Sequence, residues 1–332
     1  MDKEIKEFHL FAGIGGGIYG GKLLGHKCCG GVEIDDFCQR ILRQRQEDGW
    51  MDQFDIYGDL TKLKGNGFRG QFDVLCGGFP CQAFSHAAHG DNIAEKNLWP
   101  EMKRFVIESK APVVFGENVT LKAIDTAKED LIKLGYRVQR CRLSCEEIGA
   151  DHRRNRFWLL AVKDEKVFKR IKESIDGLPV FSNKSWSYSL DNVGDSVPDT
   201  DRRAQLKAIG NAQSPIVAAC AFRVLVNRLA DNSTQGEIVL KEELDRVIDQ
   251  KKTWIQQSFG DDFGLVHTPT TMANYACKSM MKHQGCRNFV TVFKRPQPRN
   301  AEYLMGFPIG ASSASPIQND NFKKWQKDES GK

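Results

Sequence analysis

The chain has 332 residues, of which 40% are hydrophobic and 27% charged. The apolar fraction is too high, and the charges are too mixed, for a disordered chain. No stretch approaches the roughly 20 uninterrupted apolar residues that a membrane span requires, and the first residues contain no apolar signal core. We therefore expect a cytoplasmic protein. A length above about 250–300 residues usually divides into more than one core, which predicts one large and one smaller domain.

The net charge is +5, from 48 basic and 43 acidic side chains. This mild excess permits nucleic acid as a partner but does not by itself argue for it. The ten cysteines have no regular spacing in a long chain. This usage favours free thiols in a reducing compartment over disulfides.

In chain order, residues 1–164 alternate short apolar runs with amphipathic ones. The amphipathic segments 35–47 and 120–134 predict helices, the second capped by Thr120 and ended by Gly135. The apolar runs predict buried strands over residues 7–11, 29–34, 72–76, 112–115 and 157–162. This alternation predicts an α/β fold with a doubly wound, mostly parallel sheet. Ligands of such sheets bind at the carboxyl ends of the strands.

The rest of the chain is less regular. Residues 165–201 are rich in Gly, Ser, Asn, Asp and Pro and predict an irregular connection. Residues 202–230 predict a turn and then a helix that returns to the first domain. Residues 231–332 form the predicted smaller domain, with a charged helix over 238–255 and a frayed polar tail after Ser312.

A glycine-rich turn follows the first predicted strand. The pattern Gly15-x-Gly17-x-x-Gly20 lets the backbone approach a ligand closely. Glu33 stands 18 residues after Gly15, where a carboxylate can bind both hydroxyls of a ribose. Alone, the pattern also fits a tight strand-to-helix turn without a ligand. The preceding strand and the following carboxylate favour a nucleoside cofactor, but they do not distinguish NAD from S-adenosylmethionine.

Reactive side chains stand at the ends of the later strands. Cys81 follows Pro80 after the third predicted strand, where a thiolate would be a strong nucleophile facing the cleft. Glu117 ends the next strand, where a carboxyl group beside an apolar cleft can carry a proton; capping the next helix is its alternative role. Arg154 and Arg156 point the same way before the last strand and suit an anionic or carbonyl-bearing ligand; a solvated edge is the alternative.

Together these motifs resemble the DNA (cytosine-5)-methyltransferase family, in a phage- or prophage-like form. Their order and spacing agree with the family from about residue 8 to residue 229. The matching segments are Phe11-Ala12-Gly13-Ile14-Gly15-Gly16, Gly78-Phe79-Pro80-Cys81-Gln82, Glu117-Asn118-Val119, His152 to Arg156, and Gly210-Asn211-Ala212. His152 replaces the family's Gln, the loop 85–99 lacks its Arg-Gly pair, and a Gly306-Phe307-Pro308 element follows the late helix instead of preceding it.

The resemblance implies a Rossmann-like methyltransferase fold in which residues 1–164 bind S-adenosyl-L-methionine and catalyse. It implies methyl transfer to carbon 5 of cytosine in double-stranded DNA, with the base flipped out of the duplex. Cys81 would add to carbon 6, Glu117 would hold ring nitrogen 3, and Arg154, with Arg156 beside it, would fix the base. The cofactor residues that it implies are Phe11 on the adenine, Glu33 on the ribose, Asp59 on the adenine amino group, and Gly13, Gly15, Ile34, Pro80, Leu98 and Asn211.

The acid-free run 263–301 holds six lysines or arginines interleaved with aromatic residues. It suits phosphate contacts, and equally a solvated basic face. Cys277, His283 and Cys286 have poor spacing for zinc, and we expect no metal. Alternative functions are the same chemistry on tRNA, a catalytically degenerate DNA-binding protein, and an NAD oxidoreductase, which would leave Cys81 and Glu117 unused. We expect a monomer, encoded by a bacterium or a phage; the recognised DNA sequence and any partner restriction enzyme do not follow from the sequence.

Overall fold

A computed structural model describes residues 4–80, 97–178, 184–187, 199–231, 252–270, 276–317 and 320–330. Cys81 and most of the charged helix expected over 238–255 lie outside these described residues. The structure therefore describes the glycine-rich turn, the Glu-Asn-Val motif, the arginine motif and the late helix. Of the Pro-Cys stretch, it describes the residues up to Pro80.

Seven strands form one sheet. They are β1 (Lys6–Leu10), β2 (Lys27–Val32), β3 (Asp55–Tyr57), β4 (Val74–Gly78), β5 (Val113–Asn118), β6 (Arg137–Ser144) and β7 (Asn155–Val162), in the spatial order β3-β2-β1-β4-β5-β7-β6. The first five strands are mutually parallel, and β7 runs antiparallel between β5 and β6. The predicted mostly parallel, doubly wound sheet is confirmed, and β3 and β6 are additions to the expected strands.

Helices cover the sheet. They are α1 (Gly16–Leu23), α2 (Asp36–Glu47), α3 (Trp99–Ser109), α4 (Leu121–Lys133), α5 (Glu165–Ile175), α6 (Asp199–Asn211), α7 (Pro215–Asp231), α8 (Trp254–Phe259), α9 (Gln284–Phe293), α10 (Pro298–Met305) and α11 (Asn321–Ser330). The expected cap of α4 is present, since Thr120 Oγ1 accepts from Ala123 N; α2 is also capped, by the Asp35 carboxylate, which accepts from Phe37 N and Cys38 N. Gly135 follows α4 at a φ of 85°.

Two expectations about irregular segments are wrong. The connection expected over 165–201 begins with helix α5, whose Phe168, Ile171 and Ile175 are buried. The tail expected to be frayed contains α11, whose Phe322 and Trp325 are also buried. In both cases a few apolar residues at helical spacing bury one face, although the segment is polar on average.

The carboxyl-terminal helices pack into the same core as the amino-terminal ones. Trp325 of α11 lies edge-on to Tyr19 of α1, with ring centroids 5.7 Å apart, and its indole nitrogen donates to Gly306 O. Both rings belong to a cluster that also contains Phe222 of α7 and Phe289 of α9. The division into domains at residues 164, 201 and 230 stays a prediction.

One described stretch, Asp201–Ala230, is long and apolar enough to span a membrane by length and composition. It comprises α6 and α7, which are separated at residues 212–214. Because 83% of its most apolar window is buried inside the protein, the stretch behaves as core, packed against α1 and β6.

A buried carboxylate lies beneath the glycine turn. Glu7 Oε2 is 2.9 Å from His9 Nε2, and Glu7 Oε1 is 2.6 Å from His26 Nδ1. Burial alone would raise the pKa of Glu7, but the charges and hydrogen bonds of the two histidines outweigh it and hold the pKa at about 2. Glu7 is therefore ionised and paired at neutral pH.

Replacing this carboxylate tests the pairing. Glu7→Gln should lower the free energy of unfolding at pH 7 by about 3–5 kcal/mol, the usual cost of removing one partner of a buried ion pair. The stability that ionised Glu7 contributes is complete above its unfolded pKa of 4.5 and is lost as the pH falls towards 2. The difference in unfolding free energy between wild type and variant, measured by urea titration, should therefore shrink progressively as the pH falls from about 4.5 towards 2.

The matched control is Glu165→Gln, which breaks an exposed pair with Arg137 and should cost about 1 kcal/mol or less. An equal loss in the two variants, or a Glu7→Gln loss that does not shrink on acidification, would contradict the assignment.

Candidate active site

The turn between β1 and α1 has an unusual backbone. Phe11 is one of the few described non-glycine residues with a positive φ, at 55°, and Gly13 and Gly15 have φ values of 56° and 86°. Glu33, just after β2, accepts from Gly13 N at 2.6 Å and from Asp35 N at 2.9 Å. Burial raises the pKa of Glu33 in spite of these two hydrogen bonds. The carboxylate thus fixes the turn while its remaining lone pairs face a cleft.

This cleft lies at the carboxyl ends of β1, β4 and β5 and has a volume of about 430 Å³. Its position agrees with the general rule for ligand sites in such sheets. Of the residues expected at the site, those that line it are Phe11, Gly13, Glu33, Pro80, Glu117, Arg156 and Asn211. A single cleft therefore brings together the glycine turn, the end of the Pro-Cys strand, the Glu-Asn-Val motif and the late helix.

The end of β4 is fixed at the rim of this cleft. Asn118 Nδ2 donates to Phe79 O at 2.8 Å, and Leu98 N donates to Pro80 O at 3.1 Å. Gly78 pairs with Glu117 in the sheet register. The residue immediately before Cys81 is thereby held in the cleft beside Glu117, while Cys81 itself lies outside the described residues.

Glu117 is contacted by two donors. Its Oε1 is 3.0 Å from Arg156 Nε, and its Oε2 is 3.4 Å from Gln213 Nε2. Only 8% of Glu117 is exposed. The arrangement holds a carboxylate with both oxygens oriented, next to the space that a substrate would enter.

Arg154 takes a different position from the one expected for a base-binding residue. It is buried, and its guanidinium donates to the backbone oxygens of Gly210, Ala212 and Pro269. Although Arg154 and Arg156 have the expected alternation, only Arg156 lines the cleft. Arg154 instead ties the late-helix motif to the strand β7 that it precedes.

His152, which stands in place of the expected Gln, is fully buried. Burial, and then the charges of Arg154 and Arg156, lower its pKa to about 3. His152 is therefore a neutral part of the core. Its backbone forms a bridge with Val266.

Four expected cofactor residues do not line the cleft. Gly15 caps α1, and Leu98 caps α3. Ile34 is beside Glu33 but 71% exposed. Asp59 accepts from Thr61 N at 2.9 Å and Thr61 Oγ1 at 2.7 Å, in its own turn.

Sequence reasoning missed several residues that do line the cleft. Asp35 and Lys207, whose charged groups are 3.7 Å apart, line it. His9 and Gln213 also line it. Asp35 was visible only as the first residue of a predicted helix. Gln213 stands directly after the Gly-Asn-Ala motif, which was its single sequence signal.

Glu7, His9 and Cys76 form the one group of metal-type ligands found close together among the described residues. Both oxygens of Glu7 already accept from histidines. Burial also raises the pKa of Cys76 well above its usual range, which disfavours the thiolate that a metal requires. These contacts suit an ion-paired core better than a metal centre.

Comparison with known proteins gives a family. The model of the C-5 cytosine-specific DNA methylase family matches residues 5–308. Type II methyltransferase M.MspI of Moraxella sp is 31% identical over 179 residues, which cover 49% of this chain and 40% of that protein. Type II methyltransferase M.CviJI of Paramecium bursaria Chlorella virus IL3A is 28% identical over 179 residues, covering 52% and 47%.

A solved structure described as a candidate DNA modification methyltransferase of an Escherichia coli prophage is 21% identical, with a TM-score of 0.43, and the match covers 58% of this chain and 57% of that one. The chain spans about half the length of the curated relatives it matches. The family model, by contrast, extends through the cleft and as far as the end of helix α10. The chain belongs to the C-5 cytosine-specific DNA methylase family.

Proposed function

We propose that this protein transfers a methyl group from S-adenosylmethionine to carbon 5 of cytosine in double-stranded DNA. The observation that carries the proposal is the Glu117 carboxylate, held by Arg156 and Gln213 in the same cleft as the glycine turn and Pro80. This arrangement would place a base-binding acid beside a nucleoside site. The NAD oxidoreductase alternative gives Glu117 no role.

Membership of the family makes S-adenosylmethionine the cofactor, and the cleft fits it. Phe11 offers an aromatic face, and Glu33 offers carboxylate oxygens to the ribose hydroxyls. Gly13 leaves space, since a Cβ built on it meets nothing within 4 Å. When bound, the cofactor supplies the methyl group. Asn211, at the end of α6, would line the site.

The protein's own groups would activate the base. The Cys81 thiolate would add to carbon 6 of cytosine while Glu117 holds ring nitrogen 3, so that carbon 5 becomes enamine-like and accepts the methyl group. Loss of the carbon-5 proton and of the thiol then releases 5-methylcytosine. Arg156, rather than Arg154, is the arginine placed to steady Glu117 and the base, because it alone of the two lines the cleft.

Cytosine in a duplex cannot reach such a cleft, so the base must be flipped out. The DNA would be held by the basic run 263–301, in which Lys278, Lys282, Arg287, Lys294 and Arg295 are exposed. The aromatic residues Phe289 and Phe293 of this run are buried. We therefore assign the run to phosphate contacts, which position DNA without reading its sequence.

The same chemistry on tRNA is the second candidate, and a degenerate DNA-binding protein is the third. The exposed cations favour a duplex polyanion as substrate, but they would contact the phosphates of tRNA as well. The monomeric state, cytoplasmic location, phage or bacterial source and any restriction-enzyme partner stay predictions from the sequence.

Methyl transfer itself is tested with labelled S-adenosylmethionine. Wild type should label duplex DNA more strongly than tRNA. Bisulfite sequencing of the same DNA should show 5-methylcytosine. Cys81→Ala should abolish labelling, and Glu117→Gln should lower it by about 10²–10⁴-fold, the usual contribution of a proton-handling group. Cys29→Ala removes a half-buried thiol away from the cleft and should leave labelling unchanged. Absence of label with wild type, or full activity of Cys81→Ala, would refute the proposal.

The cofactor assignment predicts that Glu33 and Asp59 differ in their contribution to cofactor binding. Glu33→Gln should weaken binding of S-adenosylhomocysteine by about tenfold or more, since a hydrogen bond to a charged group is lost. Asp59→Asn should change it by about twofold or less, because Asp59 hydrogen-bonds within its own turn. Isothermal titration calorimetry gives both values. The reverse ranking would return the adenine contact to Asp59.

The basic run is tested by salt dependence. The double variant Lys278→Gln/Lys282→Gln should weaken DNA binding and reduce the slope of log K against log salt by about 1–2. The control, Lys166→Gln/Lys169→Gln, makes the same charge change on α5, which follows the end of β7 at the sheet edge opposite the cleft. Equal slopes for the two variants would exclude the run from the DNA interface.

A further inference from the structure

We propose that Gln213 is a positioning residue that holds Glu117 in the orientation needed to contact the target base. The inference rests on the proposed function, because that function gives Glu117 its task. Gln213 itself would touch neither the base nor the transferred methyl group.

Three glycines make room for Gln213. It lies in the break between α6 and α7, and a Cβ built on Gly16 would collide with its backbone oxygen. A Cβ on Gly17 would lie 2.7 Å from its Oε1, and one on Gly78 would lie 2.8 Å from its Nε2. A side chain at Gly16 would clash with backbone, and one at Gly17 or Gly78 would displace the Gln213 amide from its present position. The three glycines thus form a slot that leads the Gln213 side chain from the late helix to Glu117.

At the end of this slot the amide completes the support of the carboxylate. Arg156 approaches Glu117 Oε1 at 3.0 Å, and Gln213 approaches Oε2 at 3.4 Å. The terminal torsion of a glutamate side chain is broad and has only weak preferences. One donor alone leaves the carboxylate free to swing, whereas a second donor on the other oxygen fixes its plane.

The two ends of the amide have different neighbours. The nitrogen faces Glu117, because an amide oxygen in that place would repel the carboxylate. The oxygen is on the side of Gly17, where a Cβ would lie 2.7 Å from Gln213 Oε1 and 3.2 Å from His9 Nδ1. His9 is held in turn through Nε2 by the buried Glu7. Gln213 thus contacts Glu117 on one side and lies near the ion-paired His9 on the other.

A fixed carboxylate acts on the rate more than on affinity. The contact between Glu117 and ring nitrogen 3 strengthens as the thiol adds to the ring, so its geometry matters most in the transition state. Loss of Gln213 should therefore lower kcat and leave cofactor binding and the KM for DNA nearly unchanged.

The variant Gln213→Met keeps the length of the side chain and removes its hydrogen-bonding groups. We expect kcat for DNA methylation to fall about tenfold, as for one lost hydrogen bond to a charged group, with Kd for S-adenosylhomocysteine and KM for DNA within about twofold of wild type. Gln213→Glu should be slower still, because it opposes two carboxylates. Gln205→Met removes another buried amide from the same helical region, outside the cleft, and should keep wild-type kcat.

A double-mutant cycle decides whether Gln213 acts through Glu117. In a Glu117→Gln background, Gln213→Met should change the residual rate by about twofold or less. A repeated tenfold loss in that background, an unchanged kcat in the single variant, or a loss that appears only in cofactor affinity would overturn the proposal.

A crystal structure of Gln213→Met supplies a readout that needs no turnover. The Glu117 carboxylate should then occupy more than one orientation, whereas a single unchanged orientation would overturn the positioning role. A wild type without methyl transfer would refute the proposed function, and it would leave this structural test of Gln213 standing.

Discussion

The antiparallel insertion of β7 beside β5 is the constraint on which the site depends. Because the two strands run in opposite directions, the beginning of β7 lies against the end of β5. Arg156 and Glu117 therefore meet at the cleft, 3.0 Å apart, although 39 positions separate them in the chain. If β7 ran parallel to β5, Arg156 would lie at the amino ends of the strands, away from the cleft. The one reversed strand thus places the Glu117–Arg156 pair in the proposed cofactor cleft.

The late helix pair completes this arrangement from the other side. Arg154 donates to the backbone oxygens of Gly210 and Ala212 and so fixes the turn that precedes Gln213. Because glycine has no side chain, the glycine turn serves two purposes. Gly13 lets a cofactor approach closely, and Gly16 and Gly17 leave room for Gln213. Stability and chemistry are linked here, since Gly17 lies beside His9, which pairs with the buried Glu7.

The sequence predicted the sheet and most of the cleft because strand ends carry local signals. Apolar runs marked β1, β4 and β7, and motif residues stood where those strands end. The partly exposed strand β6, which carries Arg137, Arg140 and Arg142, and the three-residue β3 gave no such signal. The role of Arg154 could not be read locally, because it depends on distant backbone oxygens that the fold brings to its side chain. The hydrogen bonds of Asp59, by contrast, lie within its own turn. His9 and Gln213 became visible only through the same tertiary contacts.

A crystal structure with duplex DNA containing 5-fluorocytosine, determined after reaction with S-adenosylmethionine, tests the central claim most directly. Fluorine cannot leave as the carbon-5 proton does, so the covalent adduct should persist. The account predicts an extruded cytosine bonded through carbon 6 to Cys81 Sγ, with its ring nitrogen 3 hydrogen-bonded to Glu117. A cytosine still stacked in the duplex, or an adduct on another side chain, would contradict it.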